Sequence, residues 1–427
     1  MMKRLVIYGL LWACVMTGWA KTDPVVKEVR KTVKDARYQL DGNEAKKVTD
    51  RLNDAERKLM EILPKQKTGR QKAQCYYMAA MVQRKFNTIE NEKLYLKKGM
   101  DTVLFYQSIH KMYNYLFQAD SAETADKGRR LKYRKRARKH LLAYRANLLS
   151  GGRYYLKNKK YDQALELLDC YLSSAHHPIL ANDFLYQTDT LYSRAAYWAV
   201  TSAYYIGNFE SVVRYKDEAL KYHKNKIFIQ EYVCKSYLAL GDTSKWVKAL
   251  TTGLVNYPDH TYFFTNLLDY FNEKKKYDTA IQFADYMISY NPKMPLYWFA
   301  KAAVYMKMKN YEQCIAYCDD ALALDSMHYG ANLYKGIGAC QLAADAIEQL
   351  RSTSLSNPNY ARLRSRILNY YQLAMPHLER VRKMQPQEEG TWAPLLYAVY
   401  LHLNKGKEFA EMDAILQKIN SEKQSDK

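Results

Sequence analysis

The chain has 427 residues, of which 48% are hydrophobic and 26% charged, with 16 Gly and 10 Pro. That composition supports a continuous core with long segments free to be helical, and seven scattered cysteines exclude a disulfide framework. Formal net charge is +22, or +20 without Lys3 and Arg4, so an anionic partner is admissible.

At the amino end, Lys3 and Arg4 precede an apolar run over residues 5–15, and Gly18-Trp19-Ala20 supplies small residues before Lys21. Charge, apolar stretch and small residues stand in the order of a secretory signal. Residues 1–20 are therefore expected to be cleaved, which places the protein in the periplasm or elsewhere in the cell envelope. The run is too short to be a permanent span, and no later stretch approaches twenty uncharged apolar residues. Leu11-Trp12-Ala13-Cys14 is similar to a bacterial lipobox, though Trp12 fits poorly. Lipid on Cys14 is the anchored alternative.

Residues 21–140 are expected to form an amino-terminal helical region. Amphipathic patterning predicts helices over 25–40 and 45–63, paired as a capping hairpin, then a turn over 64–72. Helices over 73–85 and 90–99 have the dimensions of a degenerate repeat, followed by a Tyr- and Phe-rich helix over 103–117. Next comes the densest charge: nine of the thirteen residues 127–139 are basic (Lys127, Arg129, Arg130, Lys132, Arg134, Lys135, Arg136, Arg138, Lys139). Such a run reads first as the solvated face of a helix leading into Leu141 and Tyr144. If it is functional, anionic lipid, acidic polysaccharide or an acidic partner suits an exported protein better than nucleic acid.

From residue 141 onward one register repeats every 34 residues. Gly207 and Gly241 mark one point of the period, and Pro258 and Pro292 another. Asn208-Phe209, Gly241-Asp242, Lys276-Tyr277 and Asn310-Tyr311 occupy successive turns before a second helix. Trp298, Ala302, Tyr305, Ala321 and Leu322 complete the pattern, and Ala302, Cys234, Ala280 and Cys314 are small residues within it. Gly152, Tyr155, Tyr161, Ala164 and Leu168 form an upstream copy, separated from the next by an insertion near residues 176–192 that is expected to loop out. Tyr334, Gly336 and Ala339 open a sixth copy whose second helix resumes at Tyr371, across a polar loop holding Ser352, Ser354 and Pro358. A last copy opens at Trp392 and closes with a capping helix over 408–419.

These residues resemble the tetratricopeptide repeat family. The resemblance implies an all-α fold over residues 141–427: a right-handed α-solenoid of stacked antiparallel helix pairs, about six to seven units plus the amino-terminal helices. It also implies a groove lined by the first helix of each pair. The usual groove positions fall on Arg153, Tyr197, Thr201, Tyr204, Lys235, Tyr262, Asp269, Phe299 and Met306. Chaperone-binding relatives carry a Lys, Asn and Arg run there that clamps a carboxylate; Tyr197, Thr201, Thr265 and Phe299 stand in its place, which disfavours such a ligand.

Other residues point to packing rather than chemistry. Most of the 40 Tyr take the large-residue places of the repeat, Tyr155, Tyr277, Tyr311 and Tyr371 among them. Cys314 and Cys318, one turn apart, suit a core better than a metal. No phosphate-binding glycine loop, zinc helix or nucleophile elbow is present, so no catalytic residue, cofactor or metal is assigned. The expectation is a non-catalytic scaffold for a protein or peptide, serving envelope assembly or organisation. The alternative is a carbohydrate-binding envelope component or surface lipoprotein, disfavoured because Trp198, Trp246, Trp298 and Trp392 fall at or beside core positions.

Overall fold

The computed structural model describes residues 22–126 and 131–425. The expected signal segment with Cys14, and Lys127, Arg129 and Arg130, lie outside the described residues. Among those described, the chain is α-helical with two short 3-10 turns and no strand. It divides into two units, one ending at Ala249 and the other running from Leu250. Each is a stack of antiparallel helix pairs, the solenoid architecture expected of the repeats.

In the first unit α1 (Pro24–Asp35) and α2 (Gly42–Ile62) pair through Val26, Val29, Val48, Leu52, Ala55 and Leu59, all buried. Asp23 and Asp41 cap their amino ends, each accepting from backbone N–H groups that a first turn leaves without partners. Helix α1 stops short of the expected residue 40, because Arg37 folds back to donate to the carbonyls of Lys34 and Ala36.

The two helices expected over 73–85 and 90–99 are in fact one, α3 (Gly69–Tyr95), 27 residues long. The polar residues around the expected gap are used internally. Asn87 Nδ2 donates to the carbonyl of Phe105 at 2.9 Å, and Glu90 accepts from the N–H of Asp101 at 2.8 Å. Both tie α3 to α4 (Thr102–Ala125). With no Gly or Pro between Arg84 and Glu90 nothing interrupts the backbone.

Helices α5 (Arg134–Lys157) and α6 (Tyr161–Ser174) form the upstream repeat. The insertion that follows does not simply loop out. It folds into a 3-10 turn and a one-turn helix, α7 (Leu185–Thr188), and is fastened at two points. Asp183 pairs with Arg138, and Asp189 receives Arg145 of α5 and the hydroxyl of Tyr171. Helices α8 (Tyr192–Tyr205), α9 (Phe209–Ala219) and α10 (Lys226–Ala239) follow, and α11 (Thr243–Asn256) carries the chain across the division between the units.

The second unit continues with α12 (Thr261–Glu273), α13 (Tyr277–Tyr290), α14 (Pro295–Lys307) and α15 (Tyr311–Leu324). Two longer helices, α16 (Tyr329–Arg351) and α17 (Pro358–Met384), precede α18 (Glu389–His402) and α19 (Gly406–Ser425). Residues 352–357 form the expected polar bridge.

Second helices start at Phe209, Thr243, Tyr277 and Tyr311, in register with the period. Cys234, Ala280, Ala302 and Cys314 are fully buried at the crossings. Between paired helices the chain passes through left-handed backbone: φ is +74° at Gly207 and +73° at Gly241, which glycine adopts without strain. One and two periods later the same conformation falls on Lys275 and Lys309, and Lys97 and Lys159 take it in the first unit.

Candidate functional site

In the first unit, α8 and α10 are first helices of adjacent pairs, so groove positions on them become neighbours. Tyr204 of α8 stacks on Tyr232 of α10 with ring centres 4.0 Å apart and planes 12° from parallel. Tyr205 meets the edge of Tyr232 and stacks on Tyr161 at 4.7 Å. Lys235 sits beside this array, its ammonium 2.5 Å from Glu231. Glu231 first, with Tyr204 adding to it, holds that ammonium above its usual range, so the lysine is a permanent cation. Burial, then the hydrogen bond with Tyr205, pushes the Tyr232 hydroxyl well above its ordinary value. The surface therefore offers aromatic edges and neutral hydroxyls beside a fixed ion pair.

The other predicted positions of this unit are placed differently. Tyr197 packs against Tyr222 at 5.2 Å and accepts a hydrogen bond from Asn225 at 3.2 Å. Thr201 donates to the carbonyl of Tyr197, one turn back on its own helix. Arg153 is exposed on α5. Besides Tyr205, two exposed apolar residues of these helices lie outside the expected positions, Phe228 and Leu238. The period contains both, since Phe228 stands one repeat before Tyr262 and Leu238 one repeat after Tyr204.

In the second unit, Tyr262 is half-buried on α12 against Phe263. Asp269 is exposed, and desolvation by its neighbours, with Glu273, raises its carboxyl above the usual range. Phe299 is wedged between Tyr334 at 5.2 Å and His328 at 4.9 Å. Gly330 makes room for it: a Cβ there would lie 2.5 Å from Phe299 Cζ. Met306 is half-buried near the end of α14. Here the aromatic group chiefly joins α14 to α16.

The basic segment separates into two classes. Arg134 holds buried Asp120 through two contacts of 2.7 Å, and Arg138 pairs with Asp183, so both belong to the framework. Lys132, Lys135, Arg136 and Lys139 face solvent. The segment is not one uniform helical face: α5 starts only at Arg134, and Glu123 accepts the backbone N–H groups of Lys132 and Tyr133 just before it.

A cleft of about 950 Å³ opens between the end of α6, the insertion and α9, lined by His176, Tyr186, Asp189, Tyr192, Arg214 and Lys221 among others. No group of three or more His, Cys, Asp or Glu is placed to hold a metal among the described residues, and no helix there is long and apolar enough to cross a membrane. Cys314 and Cys318 are fully buried in the second unit; in the first, burial pushes the Cys75 thiol up to about 11 and Cys234 to about 12, which leaves those two unreactive.

Residues 295–328, which are α14, α15 and the turns around them, match the tetratricopeptide repeat family. That stretch is a tetratricopeptide repeat. Similar solved structures are themselves repeat proteins. The C-terminal part of a tetratricopeptide repeat-containing protein from Cytophaga hutchinsonii is 14% identical, with a TM-score of 0.41 over 63% of this chain and 93% of that one. A tetratricopeptide repeat protein from Parabacteroides merdae is 16% identical, with a TM-score of 0.35 over 61% of this chain and 99% of the other. One from Bacteroides fragilis is also 16% identical, at 0.32 over 64% and 98%. No curated protein matches the chain.

Proposed function

We propose that this protein is an exported, non-catalytic scaffold that holds a protein or peptide partner, in envelope assembly or organisation, against the first helices of its amino-terminal unit. The tetratricopeptide fold is a protein-interaction scaffold, and its consecutive first helices line up side chains over an extended surface. The observation that carries the assignment to α8 and α10 is the Tyr204–Tyr232 stack with exposed Tyr205, Phe228 and Leu238 around it and the Lys235–Glu231 pair at its rim. Rigid aromatic area beside a charged rim is how peptide-binding surfaces gain both affinity and register. Export is supported by the order of charge, apolar run and small residues over positions 1–20.

Capture from an envelope fraction with the tagged chain, followed by affinity measurement with the recovered partner, tests the reading. Tyr204→Ala, Phe228→Ala and Leu238→Ala are each expected to weaken binding by more than about 1 kcal/mol, with little dependence on salt. A partner that binds all three variants as tightly as the parent refutes the groove. Mass spectrometry of the exported chain is expected to find Lys21 at the amino terminus. A retained first segment refutes export, and a lipid on Cys14 establishes the anchored form.

A further inference from the structure

The turn joining α3 to α4 carries a group of side chains that the fold itself leaves without a use. Leu94, Tyr95 and Leu96 end α3 with relative exposures of 54%, 85% and 44%, and Val103 opens α4 at 46%. Consecutive apolar residues this exposed point away from the helix pair in several directions, so they form a projecting tip rather than a groove. Lys97 and Lys98 follow them directly, both exposed.

The tip is nonetheless well built. The N–H of Leu96 donates to the carbonyl of Glu92 at 3.0 Å, that of Lys97 to Leu94 at 3.1 Å and that of Lys98 to Lys93 at 2.8 Å. Glu90 accepts from the N–H of Asp101, and Asp101 from that of Leu104. These bonds satisfy the amides of Leu96, Lys97 and Lys98, which lowers the cost of bringing that part of the tip to a low-dielectric boundary.

More cations gather at the same end of the unit. Tyr106, in the second turn of α4, packs on Tyr154 and Tyr155 at 5.7 and 5.8 Å, so the start of antiparallel α4 lies beside the end of α5. There Lys157, Lys159 and Lys160 are all exposed. Lys97 and Lys159 both occupy left-handed backbone, φ 55° and 57°, where glycine is favoured. Backbone preference therefore does not account for lysine at either place. Of the acidic groups nearby, Glu90 is buried against Lys93 and Glu166 contacts His110, which leaves Glu92, Asp101 and Asp162 against five lysines.

We propose that this end of the first unit docks on an anionic bilayer surface, with Leu94, Tyr95, Leu96 and Val103 entering the headgroup boundary and Lys97, Lys98, Lys157, Lys159 and Lys160 meeting lipid phosphates. A fluid interface accepts a convex apolar wedge, whereas a protein would have to supply a matching pocket. Tyrosine suits the position because its ring is apolar and its hydroxyl stays wet, and lysine stems can lie along the boundary while their heads reach phosphate. Acidic polysaccharide would engage the lysines but leave the apolar tip idle. The proposal is independent of the peptide-binding face on α8 and α10.

Cosedimentation of the full chain with vesicles of phosphatidylglycerol and phosphatidylcholine tests it. Binding is expected to weaken as salt rises, roughly fivefold for each of Lys97→Gln, Lys98→Gln and Lys159→Gln, and about tenfold for Tyr95→Ser with Leu96→Ser. Tyr95→Trp supplies a readout of the tip alone: brominated phosphatidylglycerol should quench emission beyond that of the parent chain. Circular dichroism should be unchanged throughout, since every altered side chain is exposed. Tyr204→Ala should leave vesicle binding as it was, which separates this contact from the groove. Equal binding by parent and all variants, unquenched Trp at 95, or a preference for a soluble acidic protein over vesicles would overturn the assignment.

Discussion

Asp189→Ala is expected to loosen the insertion after α6 far more than an exposed ion pair could. The Arg145 side chain is 8% exposed and that of Asp189 14%, so both charges are largely withdrawn from water. Arg145 Nη2 and Nε lie 3.2 and 3.3 Å from Asp189 Oδ2, Nη1 donates at 2.7 Å to the carbonyl of Tyr171 and to Ser174 Oγ, and the guanidinium sits 3.8 Å over the Tyr171 ring. Removing one member of a buried pair costs about 3–5 kcal/mol, chiefly by stranding the other charge. The carbonyl, the hydroxyl and the ring remain as partners for Arg145, which places Asp189→Ala at the low end, about 3 kcal/mol. Combining it with Arg145→Met removes the stranded charge, so the double variant should be at least about 1 kcal/mol more stable than additivity allows. Urea unfolding followed by circular dichroism gives the energies, and limited proteolysis within residues 176–192 reports the local release. Additivity within about 0.5 kcal/mol would show that Arg145 and Asp189 are not coupled and that the insertion is held by other means.

Further expectations rest on single residues. Ala302 is fully buried at a helix crossing, so Ala302→Trp should destabilise by about 1–3 kcal/mol or more, and an unchanged melting temperature would show that the crossing lies elsewhere. Lys309→Gly should raise the melting temperature slightly, since about 1–2 kcal/mol of left-handed strain is relieved against roughly 0.5–1 kcal/mol of added freedom in the unfolded chain; a fall would mean that the Lys309 side chain makes contacts worth more than the strain. Burial, then Lys335 and Arg380, lowers the His377 imidazole from 6.5 to about 4, and its Nδ1 lies 2.9 Å from Asn332 Oδ1. The unfolded chain therefore takes up this proton first on acidification. Stability that is full above pH 6.5 should decline towards pH 4 and level off below it, and His377→Gln should flatten that decline in a urea-denaturation series.

The solenoid was readable because its determinants are local and repeat: second helices starting at Phe209, Thr243, Tyr277 and Tyr311, and small residues at Cys234, Ala280, Ala302 and Cys314. What escaped were the places where a polar residue's partner lies far along the chain. Asn87 and Glu90 belong to one continuous helix, and their partners at Phe105 and Asp101 lie 18 and 11 residues later. Arg134 and Arg138 look like two more exposed cations in a basic run, yet their acids lie 14 and 45 residues away. The insertion reads as a loop because nothing in residues 176–192 announces that Arg145 is waiting for Asp189. On the candidate face Phe228 and Leu238 stand at the repeat positions of Tyr262 and Tyr204, yet neither is among the expected groove positions. Only the structure shows that Tyr204 and Tyr232 stack, and that Phe299 is occupied by Tyr334 and His328.

Within each unit the helices meet chiefly those next to them in the chain, so most native contacts join residues close in sequence. Little loop entropy has to be surrendered before such contacts form, and folding should be quick for a chain of this size. It can also begin at more than one place: the paired long helices α3 and α4, and likewise α16 and α17, share the most extensive contacts, so each pair should serve as a separate seed from which shorter neighbours zip outward. Pulled from one end, a stack of this kind should yield pair by pair, as a staircase of small steps rather than a single rupture.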